Sequence, residues 1–167
     1  MAKWWSFKKQ ANNDSEALFQ EAETAMRQQF EEAMTKGASR QALIHKIETE
    51  SQQLEQQSPT PQIKAKLRAF DLLYSELRPR MLGNLSNGKA HEMAGQVEQA
   101  IVAYEAAMLD QVPTRFPYEH LRVIYRRQGQ FEEALRVCKT AVSNPYLTPK
   151  DHAHFQSWVE KFSIQVQ

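Results

Sequence analysis

Hydrophobic side chains recur every three to four residues along most of the chain, which is the spacing of an amphipathic helix. In the range 13–60 this spacing predicts a helical hairpin. Asp14 or Ser15 is expected to cap its first helix. Gly37 is expected to end that helix, and Ser39 to cap the second. No segment alternates with the period of two that a half-buried strand shows, so the pattern predicts an all-α fold.

The second half of the chain contains a repeat. Gly95 and Gly129 lie 34 residues apart, and each separates two amphipathic segments. The residues that follow them repeat in kind at the same offsets: aromatic or aliphatic, alanine, aliphatic, bulky, alanine, aliphatic. The two sets are Val97, Ala100, Ile101, Tyr104, Ala107 and Met108, and Phe131, Ala134, Leu135, Cys138, Ala141 and Val142. A repeat of this length indicates stacked helical hairpins.

The period and the alanine spacing resemble those of the tetratricopeptide repeat (TPR) family, whose unit is a helix-turn-helix of 34 residues. The resemblance covers residues 81–144 and implies two TPR units. Ala100 and Ala134 allow the two helices of one hairpin to approach closely. Ala107 and Ala141 allow the next hairpin to stack on it.

The two copies also differ from each other. The second has Arg122 where the first has Gly88, and the first has His91 where the second has Tyr125. The family usually has a small residue at the first position and an aromatic residue at the second. The first helix of each unit is therefore expected to pack irregularly.

Flanking segments complete the predicted architecture. Residues 61–80 keep apolar offsets of the repeat but lack its two alanines, so they are predicted to be either a degenerate repeat helix or an unrelated helix. Residues 148–167 are predicted to form a capping helix that starts with a capping box at Thr148. The proline-containing stretch 57–61 is the predicted seam between two parts of the chain. The implied fold is an all-α, helical-hairpin solenoid of TPR type, with extra N-terminal helices and a C-terminal capping helix.

Composition and charge argue against several function classes. The chain has 21 basic and 20 acidic residues and a formal net charge of +1, so no global field attracts nucleic acid or an anionic membrane. No apolar stretch is long enough for a transmembrane helix or a signal peptide. The lone Cys138 allows no disulfide within the chain, which is typical of a reducing compartment. We therefore expect a cytoplasmic protein that does not bind nucleic acid.

The residues that carry chemistry are scattered. The sequence contains no phosphate-binding loop, nucleophile elbow or pair of metal-binding cysteines. His152 and His154 form the one close pair among five histidines, and side chains two positions apart on a helix point to different faces. We therefore predict that the protein is not an enzyme and uses no cofactor or metal.

The TPR resemblance implies a concave groove, lined by the first helices of the hairpins, that binds a peptide or helix of a partner protein. One end of this groove would be apolar and the other basic, so the expected partner combines hydrophobic and acidic residues. Co-chaperone members of the family hold a C-terminal carboxylate with lysine, asparagine and arginine, and here only Lys150 fits that pattern. The residues assigned to the groove are Leu82, Leu85, Lys89, Glu92, Met93, Phe116, Glu119, Val123, Arg126, Arg127, Lys150 and Ser157.

The first twelve residues suggest an alternative function. Trp4, Trp5 and Phe7 lie among Lys3, Lys8 and Lys9. Two adjacent tryptophans would expose a large apolar surface, so the segment is expected to be either flexible or docked onto the helical body. It could instead dock onto a second copy, giving a homo-oligomer, or lie at a membrane surface, where tryptophan and lysine are both favourable. Because one short segment binds lipid weakly, self-assembly ranks above membrane association.

Overall fold

The chain is all-helical in the part that the structure describes. The computed structural model describes the backbone of residues 2–166 and the side chains of residues 13–166. Within these ranges it contains seven helices and no strand, so the predicted all-α class is confirmed. The helices are α1 (Ala2–Thr35), α2 (Arg40–Glu55), α3 (Pro61–Met93), α4 (Val97–Leu109), α5 (Phe116–Arg127), α6 (Phe131–Ser143) and α7 (Pro149–Gln165).

The chain divides into two compact units, and their boundary differs from the predicted one. Unit 1 is Met1–Arg78 and unit 2 is Pro79–Gln167. The boundary therefore lies inside α3, and the prediction that the seam falls at 57–61 is wrong. That stretch is only the connection between α2 and α3.

The continuity of α3 also corrects the prediction of a separate helix over residues 61–80. The helix continues through Pro79 to Met93. Proline usually interrupts a helix because it lacks an N–H group and crowds the carbonyl four residues earlier. Here both Pro79 and Ser75, whose carbonyl loses that donor, are exposed, so water can satisfy the carbonyl.

Unit 1 packs α1, α2 and the first half of α3 around one apolar core. Two predicted turn features are confirmed. Gly37 has a φ of 90°, which ends the preceding turn. Ser39 caps α2, because its Oγ accepts a hydrogen bond from the Ala42 N–H at 3.1 Å. The buried core residues are Phe19, Met26, Phe30, Leu43, Ile47, Ala65, Ala69, Phe70 and Leu73.

The start of α1 differs from the prediction. The helix begins at Ala2, so Asp14 and Ser15 lie inside it and do not cap its first turn. The preceding residues include no glycine or proline, and several are alanine, lysine or glutamine, which favour helices. A polar residue caps a helix only where the backbone leaves the helical conformation, and nothing in this local sequence ends the helix before Asp14.

Unit 2 repeats the same turn at an interval of 34 residues. Gly95, after α3, and Gly129, after α5, both have a φ of 73°, a left-handed conformation that disfavours side chains. The N–H groups of the next residues, Gln96 and Gln130, donate to carbonyls five residues earlier, each at 2.9 Å. This hydrogen-bond pattern is the Schellman motif. The helices that follow, α4 and α6, have 13 residues each.

The alanines of the repeat lie at the closest packing positions of unit 2. Ala100 and Ala107 of α4 and Ala134 and Ala141 of α6 are all 0% exposed. A larger side chain at any of them would separate the packed helices, since close-packed interiors leave no space for added methylene groups. The structure thus gives the predicted reason for small residues at these four positions.

At two positions of the repeat, the copies differ in which residue is large and which is small. A Cβ atom on Gly88 would lie 2.4 Å from the ring of Tyr104, so the ring requires glycine at this position. Thirty-four residues later the sizes are exchanged: the large Arg122 and the small Cys138 are both buried. The first helices therefore pack differently in the two copies because a large side chain comes from α4 in one and from α5 in the other.

The last helix of unit 2, α7, covers the preceding hairpin. The N-cap half of its predicted capping box is confirmed, because Thr148 Oγ1 accepts from the Asp151 N–H at 3.2 Å. Asp151 Oδ2 accepts in return from the Thr148 hydroxyl at 2.6 Å, whereas in a capping box the acceptor bonds the backbone N–H of the capping residue. Phe155 and Phe162 of α7 are 0% and 1% exposed. Burial of both rings anchors α7 on the hairpin.

Candidate functional site

The last turns of α3, together with α5 and α7, bring together most of the residues assigned to the groove. We call this surface the α3–α5–α7 face. Glu92 of α3 contacts His120 of α5, with Oε2 and Nδ1 2.6 Å apart. Glu119 of α5 contacts His154 of α7, with Oε2 and Nε2 2.9 Å apart. Each pair joins two neighbouring helices of the face across side chains that are partly buried.

The first polar cluster of the face centres on Glu92. Its Oε2 accepts hydrogen bonds from both Tyr104 Oη, at 2.8 Å, and His120 Nδ1. Burial, together with the bond to Glu92, raises the pKa of Tyr104 well above its usual value, so the phenol stays protonated and donates. Phe116 stacks on the His120 ring with centroids 4.1 Å apart. These contacts hold Glu92 and Phe116 in fixed positions.

The second polar cluster centres on Glu119. Its carboxylate accepts hydrogen bonds from Arg122 and from His154. Burial disfavours ionisation of Glu119, but these hydrogen bonds outweigh that effect and lower the pKa of its carboxyl below the usual value. The carboxylate therefore stays charged at neutral pH and ties α5 to α7.

Three cationic side chains converge on Trp158 of α7. The guanidinium carbon of Arg122 lies 3.9 Å from the centroid of the Trp158 ring, Lys161 Nζ lies 4.5 Å away, and the guanidinium carbon of Arg126 lies 5.9 Å away. These distances fall within the range of cation–π contacts. The indole thus concentrates positive charge at the end of the α3–α5–α7 face formed by α5 and α7.

The residues predicted for partner binding separate into two groups. One group is built into the face, and the other is free to meet a partner. No described residue forms an ion pair or hydrogen bond with the side chain of Lys89, Arg126, Arg127 or Lys150. The half-buried residues are Leu85, Glu92, Phe116, Glu119 and Val123, and the exposed ones are Lys89, Met93, Arg126, Arg127 and Lys150.

Sequence reasoning did not assign to the site four further residues of the face, or the buried Tyr104 of α4 that supports it. The four residues are His120, Arg122, His154 and Trp158. Of the two histidines, it considered His154 as a member of a close pair whose side chains point to different faces. The glutamates lie 28 and 35 residues from their histidine partners in the chain. These separations are near the repeat length of 34 residues, because each pair joins corresponding helices of successive hairpins. That separation was the signal in the sequence that could have indicated such pairs.

The remaining predictions do not concern residues of this site. The docking role predicted for Trp4, Trp5 and Phe7 depends on side chains outside the described ones. Among the described residues, no group of three potential metal ligands is close enough to hold an ion. A helix both long enough and apolar enough to cross a bilayer is likewise not found among them.

Comparisons with known proteins give no match: no family model fits the chain, and no curated protein or solved structure is significantly similar to it. The function is therefore inferred from the geometry of the α3–α5–α7 face.

Stability of unit 2 should depend on pH through Glu119. Because folding lowers the pKa of this carboxyl, its stabilising effect is present above the usual glutamate pKa and is lost as the pH falls through the lowered value. We expect Glu119→Gln to lower the free energy of unfolding by about 1.5 kcal/mol at pH 7, the size of a hydrogen bond to a charged group. Urea unfolding at pH 7 and at pH 3 measures the free energy of unfolding at pH 7 and its loss on acidification.

The matched control for this experiment is Glu132→Gln, an exposed change on α6 in the same unit. It should leave the stability at pH 7 and its loss on acidification close to those of the parent chain. Glu119→Gln should instead lose less stability than the parent between pH 7 and pH 3. Equal losses for the parent and Glu119→Gln would mean that the carboxylate does not link α5 to α7 as described.

Proposed function

We propose that the protein is a non-enzymatic interaction module of TPR type that binds a peptide or helix of a partner protein on the α3–α5–α7 face. The repeated Schellman turns at Gly95 and Gly129, and the buried alanines at equal offsets, support the TPR assignment. A reducing compartment such as the cytoplasm suits the lone buried Cys138. In this proposal the protein acts as an adaptor or scaffold.

The single observation that carries the proposal is that the carboxylates of this face are engaged within the protein, whereas its exposed cations are not. Glu92 and Glu119 are held by hydrogen bonds within the protein, so their carboxylate oxygens are already engaged. The exposed cations beside them have no hydrogen bond or ion pair with described residues. A surface whose carboxylates are engaged internally, and whose cations are not, favours an acidic partner, because complementary charge increases the rate and specificity of association.

The apolar residues of the same face supply the second half of the proposed recognition. Met93 is 80% exposed and Leu82 is 40% exposed, both on the last turns of α3. Phe116 and Val123 of α5 are half-buried, so each leaves part of its surface accessible. Hydrophobic anchors usually contribute most of the binding free energy at a protein interface, whereas peripheral charges contribute less. The expected partner segment therefore carries both apolar and acidic side chains.

Charge reversal on α5 tests the proposal. We expect Arg126→Glu together with Arg127→Glu to abolish capture of the partner from a lysate of the source cells, with helicity unchanged. Both residues are exposed, so the change should alter the partner's electrostatic environment and leave the fold intact. Affinity capture with mass spectrometry, and circular dichroism of both chains, give the two measurements.

A control with the same change in charge is Lys64→Glu together with Lys139→Glu, at two exposed positions on α3 and α6. It should retain the partner. If both double variants retain it, the α3–α5–α7 face is not the binding surface. If the parent chain captures only further copies of itself, the self-assembly alternative replaces the adaptor proposal.

A further inference from the structure

The α5 end of the face continues into an open pocket that the sequence did not predict. The pocket has a volume of about 510 Å³ and lies between the end of α5, the start of α6 and the end of α7. Its apolar walls are Phe131, Trp158, Phe162 and Ile164. Arg126 and Lys161 form its charged rim. We call it the Trp158 pocket.

The walls of the Trp158 pocket are held in place by ring contacts. Trp158 stacks on Phe162 with centroids 5.5 Å apart and an interplanar angle of 28°. Phe131 contacts Phe162 with centroids 6.3 Å apart. Phe162 is 1% exposed and therefore forms the rigid floor, whereas Ile164 is 77% exposed at the entrance. An exposed isoleucine beside a rigid aromatic floor is an accessible place for an apolar side chain of a partner.

The positive charge around the pocket is not balanced by the described residues. Arg122 has Glu119 as its carboxylate partner, and that carboxylate is shared with His154. Arg126 and Lys161 form no ion pair with any described carboxylate. Three like charges near one indole repel one another, and an added carboxylate would relieve that repulsion.

A buried, unsatisfied donor lies next to the pocket, on Arg122, which contacts Trp158 but does not itself line the pocket. Arg122 is only 4% exposed, and its guanidinium carbon lies 3.9 Å from the centroid of the Trp158 ring. Among the described side chains, its Nη1 is the one buried nitrogen or oxygen atom without a hydrogen-bond partner. Buried donors are satisfied in nearly all native structures, so an unpaired one is a sign of an absent partner.

We propose that the Trp158 pocket binds a short acidic peptide segment of the partner, with one apolar side chain between Trp158 and Ile164 and a neighbouring aspartate or glutamate at Arg126 and Lys161. The pocket lies within the ~300–1,000 Å³ range of ligand sites, which is large enough for a single large side chain with part of its backbone. The inference rests on the proposed interaction function and names the segment that the module selects.

Peptide selection on the full chain tests this inference directly. The probe is a phage-displayed library of random twelve-residue peptides, followed by the best-enriched peptide in synthetic form. We expect enriched peptides to carry Asp or Glu within two residues of Leu, Ile, Phe or Trp. Replacing that acidic residue by its amide should weaken binding by about tenfold, which corresponds to about 1.4 kcal/mol. Binding should also weaken as salt concentration rises.

Two variants separate the charged and apolar parts of the pocket. Lys161→Glu and Ile164→Asn both change exposed residues of α7 that the groove prediction did not use. Each should weaken binding of the synthetic peptide about tenfold or more, because a few contacts carry most of the binding free energy at an interface. Lys139→Glu, an exposed charge reversal on α6, should bind as the parent chain does. Circular dichroism of all three checks that they remain folded.

The outcomes distinguish this inference from the proposed function. Enriched peptides that bind Lys161→Glu and Ile164→Asn as tightly as the parent chain would overturn the pocket. If Arg127→Glu, which changes an exposed residue of α5 outside the pocket, still weakened binding of those peptides, the interaction function would stand without the pocket. Failure to enrich any peptide, or enrichment of basic peptides, would also overturn the inference.

Discussion

Replacing Tyr104 by alanine should destabilise unit 2 by about 3–5 kcal/mol, the usual effect of removing a buried aromatic ring. Tyr104 is 0% exposed, and its ring lies against Gly88 and edge-on to Phe116. Alanine would leave a cavity where α3, α4 and α5 meet. It would also remove the hydroxyl that donates to Glu92.

Tyr104→Phe is the matched control because it removes only the hydroxyl. Glu92 keeps the hydrogen bond from His120, so the expected loss is about 1 kcal/mol. Urea unfolding followed by the fluorescence of Trp158 measures both variants. The chain has three tryptophans, and Trp4→Phe with Trp5→Phe leaves Trp158 as the reporter of unit 2. Equal losses for the alanine and phenylalanine variants would mean that the ring does not fill the space described.

Local sequence was a good guide wherever backbone geometry decided the structure. Gly95 and Gly129 were recognised because a left-handed backbone strongly favours glycine, and Ser39 and Thr148 because a helix start favours an oxygen acceptor. These requirements involve residues a few positions apart, so a single sequence contains them. Both hairpin turns of unit 2 followed from them, whereas the all-α class followed from the helical periodicity of the apolar residues.

Local sequence was a poor guide where the outcome depended on solvation or on distant partners. A separate helix was predicted over residues 61–80, but α3 continues through Pro79 because the exposure of Ser75 lets water satisfy its carbonyl, and exposure is a tertiary property. Periodicity likewise shows that a residue faces the interior without naming its partner. The polar pairs of the α3–α5–α7 face and the cations around Trp158 were missed for that reason.

The candidate site was only partly predictable because two kinds of residue share the same helical register. Spacing placed both Glu92 and Lys89 on the groove, although Glu92 is engaged inside the protein and Lys89 is exposed. Which of them meets a partner depends on whether a complementary group comes from a neighbouring helix. The pattern of apolar and polar residues along one helix does not contain that information, because it depends on which residue of the neighbouring helix lies opposite.

Replacing Cys138 by tyrosine should destabilise unit 2 by about 3 kcal/mol, at the upper end of overpacking costs. Position 138 corresponds to Tyr104 in the other copy, so the substitution copies one repeat onto the other. In the first copy the tyrosine ring occupies the space left by Gly88, whereas the equivalent position here is the large, buried Arg122. Replacing Cys138 by its counterpart in the other copy is therefore expected to destabilise unit 2.

The double variant Cys138→Tyr with Arg122→Gly should recover part of that loss, because it restores the combination of sizes found at Gly88 and Tyr104. Recovery will be incomplete, since glycine inside a helix costs about 1 kcal/mol and Trp158 loses its stacked guanidinium. Urea unfolding of both single variants and the double variant gives the coupling energy between the two positions. Strictly additive effects would show that size is not exchanged between the helices. A favourable coupling would instead mean that each copy needs one large and one small residue at these two positions. The large residue is Tyr104 of α4 in the first copy and Arg122 of α5 in the second, where its guanidinium also contacts Trp158.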